Sequence, residues 1–249
     1  MAKIRESVRN AFRSFTEKNE GRINWFYLDV RALPTIGAGC IVDRVELALK
    51  LPMTWPDGRR ATPDEIREDW ARVAADKSLA APKAGAAAAA KVARLRLPQA
   101  DLDRLTDVRL DANVADLARR YPAFTDAPAS AQLGMLSMAW ALGTDKMQRE
   151  FPKFSAHVHA RDWASAAAEC KMRESDNPGI VHRNASNRLL FLAAAWVADT
   201  GADPEPLRWA PPADEAPPPE PGPTLRDEAM KAWGLQVPVE NEAPPSERG

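Results

Sequence analysis

The chain has 249 residues, 34 Lys+Arg against 35 Asp+Glu for a net charge of −1, and 45% hydrophobic residues. That balance leaves no electrostatic footprint for nucleic acid, and the Ala-rich run 84–90 is too short to span a bilayer. Two cysteines, Cys40 and Cys170, and three histidines show no metal-ligand spacing, so no metal or other cofactor is expected and both thiols are read as buried and free.

Ile4, Val8, Ala11, Phe12 and Phe15 recur at helical spacing and predict an amphipathic helix over 3–19 with a basic outer face. That face is read as solvated, with attraction to an anionic surface as the functional alternative. The helix ends near Gly21, leaving Glu20 at its C-terminal end. Ile23, Trp25 and Tyr27 then alternate as a strand, a turn falls at 30–33, and Pro34–Gly39 returns as a second strand. Thr62-Pro63-Asp64-Glu65 opens a helix over 62–77 with a capping box and proline at the first helical position. The region 52–90, which includes the Ala-rich run, is read as a longer helical connection between lobes, with an extended substrate groove as the alternative. Its Trp55 and Trp70 are read as core. Further helices are predicted over 98–106, 110–120, 129–142, 161–173 and 181–198.

Beyond residue 205 the composition changes. Residues 206–249 hold 11 of the 22 prolines and 4 Lys+Arg against 8 Asp+Glu. Such a segment lacks the apolar surface to build a core. The organisation is therefore read as a domain over 1–200, with an insertion at about 52–90, and a mostly disordered acidic tail over 201–249. Within the tail a short helix over 225–234, capped by Thr224, would align Leu225, Ala229, Met230 and Trp233 in one stripe. The stripe is read either as a patch docked on the chain's own domain or as a partner-binding motif.

Chemistry concentrates in Glu20–Gly39. Glu20 closes a helix, Asp29 follows nine residues later in an aromatic run, and Thr35 follows six after that, leading into Ile36-Gly37-Ala38-Gly39. Two carboxylates and a hydroxyl on a tight hairpin are the groups that glycosidic hydrolysis requires, one acid to protonate the leaving oxygen and one to position water. An acid at a helix C-terminus also faces the negative end of the helix dipole, which favours the protonated form a general acid needs.

The block resembles the catalytic segment of the phage-type lysozymes, the muramidases of glycoside hydrolase family 24. Glu20, Gly21, Tyr27, Asp29, Thr35, Ile36, Gly37 and Gly39 are in register with that family's pattern. Ala32 stands where the family has glycine, so the hairpin turn is expected to run without an easy positive φ there. Cys40 replaces a histidine, which puts a packing contact in question. Residues 97–120, 131–143 and 161–172 are similar to the family's later helices, and Gly179-Ile180-Val181-His182-Arg183 to the entry of its last one.

The resemblance implies an α+β, mainly α-helical, lysozyme-like fold, with a small β-hairpin lobe, a larger helical lobe and the active-site cleft between them. It implies Glu20 as general acid. Asp29, expected to be the more exposed acid, would hold the attacking water with Thr35. Tyr27, Gly37, Gly39 and Arg183 are implied as substrate-binding or supporting residues, Arg183 reaching Glu20 across the lobes. The implied substrate is bacterial peptidoglycan, cut by a monomer between N-acetylmuramic acid and N-acetylglucosamine. Because the chain's start lacks the unbroken apolar core of a signal peptide, it is expected to be made in the cytoplasm and carried to the wall by a holin-type pore or a secretion machine. The tail would then meet a secretion-machine or inhibitor partner. The alternatives are a catalytically silent wall-binding module of the same fold and a hydrolase of another N-acetylated glycan such as chitin.

Overall fold

The structure, a computed structural model, describes residues 3–80, 85–174 and 179–211. It is α+β and mainly helical. Helix α1 (Glu6–Glu20) is followed by three short strands, β1 (Tyr27–Leu28), β2 (Pro34–Ile36) and β3 (Cys40–Ile41). Nine helices come next among the described residues: α2 (Val45–Ala48), α3 (Pro63–Ala75), α4 (Gly85–Val92), α5 (Gln99–Arg120), α6 (Ala129–Leu142), α7 (Thr144–Glu150), α8 (Pro152–Ala160), α9 (Trp163–Glu169) and α10 (Gly179–Thr200). The short helix expected over 225–234 lies outside the described residues.

The expected hairpin is a three-stranded antiparallel sheet in the order β1-β2-β3. Tyr27 pairs with Thr35 and Thr35 with Ile41, while Leu28 pairs with Pro34 and Ile36 with Cys40. Directly paired residues share a face. Leu28, Ile36 and Cys40 therefore point into a buried core, and Tyr27, Thr35 and Ile41 lie on the opposite face. The expected alternation from Ile23 forms no strand before Tyr27, because the Ile23 carbonyl instead accepts the Gly37 N–H at 2.7 Å.

Two apolar cores organise the chain. The smaller gathers Phe26, Leu28, Ile36 and Val42 from the sheet region with Ile66, Val73 and Leu79 from the insertion and Leu95 and Leu97 from just after it. The insertion is thus part of the small lobe's core and not a connection between lobes. Trp55 and Trp70 pack against this core, and Trp70 Nε1 donates to the Val42 carbonyl at 2.7 Å. The larger core surrounds α6, whose residues 129–140 are all buried and which packs against α1, α5, α7 and α10. Gly134 allows the closest approach: a Cβ there would lie 2.9 Å from the Phe191 ring of α10.

Helix α5 joins the two cores. Its Leu102 belongs to the smaller one, and its Leu110, Val114 and Leu117 to the larger. The two helices expected over 98–106 and 110–120 are this single helix, because no glycine or proline interrupts 99–120. Helices α7 and α8, over residues 144–160, fall where no element was expected. The helix expected over 161–173 begins at the Asp162 cap, whose side chain accepts the Ser165 N–H at 3.0 Å. Along α1, Arg9 and Arg13 pair with Asp111 and Asp107 of α5, and Arg22 just beyond the helix pairs with Asp103. The face stays part-exposed, as the solvated reading expects, with part of its charge offset by α5.

The domain does not end at residue 200. The Pro204 carbonyl accepts the Ala129 N–H at 2.9 Å, and Arg5 pairs with Glu205 at 3.2 Å. The Ser130 hydroxyl bonds the Arg208 backbone at 2.6 Å, and Trp209 stacks on Phe15 with centroids 6.0 Å apart. Residues 201–211 therefore belong to the folded unit.

Candidate active site

Glu20 is the last residue of α1, and Gly21 then turns the chain away at a positive φ. The chain returns through β1 and β2, with Asp29 at the turn between them, so that the Gly37–Gly39 loop lies near it. Arg183, on the first turns of α10, closes the group from the far end of the chain. Its Nη2 pairs with Glu20 Oε1, and its Nη1 donates to the Ser137 carbonyl at 3.1 Å. The Arg183 side chain is 4% exposed and that of Glu20 26%. The contact expected from the resemblance is therefore present, and the buried guanidinium fixes one oxygen of the acid.

Asp29 caps its own turn. Its Oδ1 accepts the N–H groups of Arg31 at 2.8 Å and Leu33 at 2.9 Å, while Oδ2 meets only the exposed Arg31 Nε, at 3.5 Å. Its side chain is 22% exposed, so it is not more open than Glu20. The turn it builds puts Ala32 at φ +57°, contrary to the expectation that this position would avoid a positive φ. The hydrogen bonds from Ala32 N–H to the Asp29 carbonyl at 3.0 Å and from Asp29 N–H to the Leu33 carbonyl at 3.1 Å hold the backbone in that conformation despite its cost for alanine.

Thr35 is buried at 1% exposure, and its hydroxyl donates to the Leu33 carbonyl at 2.9 Å. A hydroxyl that donates once keeps its lone pairs as acceptors. Tyr27, beside Thr35 in the sheet, stands close enough to both acids to sense their charge. Its hydroxyl is pushed well above the usual tyrosine range by burial first and by the Glu20 carboxylate next. A hydrogen bond from the Gly39 backbone acts the other way.

Gly37 and Gly39 both adopt positive φ, +65° and +79°. At Gly39 a Cβ would sit 3.5 Å from Glu20 Oε2 and 3.4 Å from Arg109 Nη1. Glycine therefore keeps the second oxygen of Glu20 uncovered. Cys40 and Cys170 are free and buried. Burial pushes the Cys40 thiol up, partly offset by the neighbouring Arg109 guanidinium, and pushes Cys170 up to about 12.

Two residues of this neighbourhood carry no signal in the motif. Arg109 of α5 and Trp140 of α6 both bond the Ala38 carbonyl, at 3.1 and 2.8 Å. Only an arginine and a tryptophan on otherwise ordinary helices hint at them. A separate small, open pocket, with room for about one water, is lined by Trp55, Glu65, Glu68, Asp69, Arg72, Arg94 and Leu95, none of them from the acid block. Among the described residues no group of three or more His, Cys, Asp or Glu side chains could hold a metal ion, and no helix is long and apolar enough to cross a membrane.

No protein-family model matches the chain, and no curated protein does either.

Proposed function

We propose that the protein is a muramidase, an inverting glycoside hydrolase that cleaves the β-1,4 bond between N-acetylmuramic acid and N-acetylglucosamine in bacterial peptidoglycan. The observation that carries this reading is the pairing of Glu20 with Arg183, 163 residues away, with a second acid, Asp29, on the hairpin that follows Glu20. Glu20 Oε1 is held by Arg183, so Oε2, uncovered beside Gly39, delivers the proton to the leaving oxygen. Asp29 Oδ1 is committed to two backbone N–H groups, which leaves Oδ2 to orient and deprotonate the attacking water. Thr35 offers that water an acceptor. The site of action is the cell wall, and the neighbouring genes distinguish the delivery route: a holin marks lysis, a spike protein or small periplasmic inhibitor an injected effector.

The test is product chemistry. Purified protein added to Gram-negative cells stripped of outer membrane should clear the suspension and release muropeptides with new reducing ends. Products with anhydro-muramic ends would identify a lytic transglycosylase instead, and no soluble product from wall would leave a binding module.

A further inference from the structure

The wall beside Glu20 is held from behind by a residue outside the motif. Arg109, half-buried on α5, donates Nη1 to the carbonyls of Ala38 at 3.1 Å and Gly39 at 2.7 Å, and Nη2 to the carbonyl of Trp140 at 2.8 Å. Its guanidinium lies 4.0 Å from the centroid of the Trp140 ring. Trp140 Nε1 adds a bond to the Ala38 carbonyl at 2.8 Å. A planar guanidinium can bond acceptors on two segments at once, which a lysine ammonium cannot do with the same rigidity. The place a Gly39 Cβ would occupy touches both Arg109 Nη1 and Glu20 Oε2.

We propose that Arg109 is a positioning residue of the hydrolytic site: with Trp140 it clamps the Ala38–Cys40 loop onto the helical lobe, so that Gly39 presents bare backbone to Glu20. The catalytic part of this inference rests on the muramidase reading of Glu20, and the clamp itself does not. Glu20 pairs with Arg183 of α10, and Arg109 of α5 lies across Gly39 from it.

Two readouts on the full chain test this. The first is the labelling of Cys40 by an aromatic disulfide reagent in a Cys170→Ala background, which reports the loop whether or not wall is cleaved. Arg109→Met removes three hydrogen bonds and should speed labelling by about tenfold or more. The second is the rate on isolated peptidoglycan, separated into kcat and KM. Arg109→Met should lower kcat about tenfold or more with KM changed less than about twofold. Arg109→Lys and Trp140→Phe also loosen the loop, so they should lose rate and speed labelling. They carry the test if Arg109→Met does not fold. Wild-type labelling together with wild-type kcat and KM in these variants overturns the inference. Faster labelling in an Arg109 variant of a chain that cleaves no wall would keep the clamp and overturn only the muramidase reading.

Discussion

Arg183 has almost no solvent to share its charge with, so Glu20 does two jobs at once. Glu20→Gln should abolish wall cleavage, because the amide keeps the shape and removes the transferable proton. It should also cost stability, about 1–3 kcal/mol, since a buried guanidinium then faces a neutral partner. Rates and melting curves measured together check both, and full activity in the variant would remove Glu20 from the mechanism. Asp29→Asn is the informative change at the second acid. An amide oxygen can still accept from Arg31 and Leu33 and keep the turn, so a strong loss of rate with an unchanged melting temperature would assign the loss to the missing charge. At Ala32 the φ of +57° costs an alanine about 1–2 kcal/mol, of which glycine's extra freedom in the unfolded chain returns part. Ala32→Gly should therefore raise stability by up to about 1 kcal/mol, or about 2–4 °C in Tm. A lowered Tm would mean that the Ala32 methyl packs too well to be spared.

At the scale of elements, α3 shows how local rules and tertiary contacts combine. Thr62 and Glu65 exchange hydrogen bonds as a capping box, Thr62 N–H to Glu65 at 2.8 Å and Glu65 N–H to Thr62 at 3.3 Å. Ile66, Asp69 and Val73 are buried on one side of the helix. Asp69 is an acid in an apolar stripe, satisfied by the N–H groups of Arg94 at 2.8 Å and Leu95 at 3.1 Å and by Arg72 at 2.6 Å. The box has a pH signature. Hydrogen bonds from Arg59 first, and from the Thr62 backbone next, hold the Glu65 carboxyl down at about 2. A carboxyl lowered in the folded state contributes stability that is complete above its ordinary 4.5 and is lost as pH falls toward 2. Melting temperatures of the wild type should thus fall more steeply over this window than those of Glu65→Gln, and parallel curves would remove this role. Within α3 the capping box, the proline and the apolar spacing are all local, so the helix was legible. That α4 and α3 close the small lobe's core, and that α5 runs unbroken between two cores, were not. Periodicity marks an apolar face but does not say which other face it meets.

For the molecule as a whole, the boundary between folded unit and tail moves from 200 to at least 211. Prolines and acids averaged over 206–249 hide Leu207 and Trp209, which pack against the larger core. A chain cut after residue 211 should therefore keep its melting temperature and its rate on isolated peptidoglycan. A cut after 205 should lose about 2–4 kcal/mol from the uncovered core. Equal melting of the two truncations would show that this contact contributes nothing. What the sequence by itself determined was whatever is encoded within a turn or two of chain: the amphipathic helices, the capping box, and the acid block, whose Glu20, Asp29 and Thr35 lie close enough together for one hairpin to gather them. What only the tertiary structure decided was every contact made by chain that is distant in sequence, Arg183 on Glu20, Arg109 and Trp140 on the Ala38–Cys40 loop, and Trp209 on Phe15. Those depend on where two cores place their helices. A backbone carbonyl or a buried guanidinium leaves no periodic trace, because its partner is chosen by packing and not by spacing.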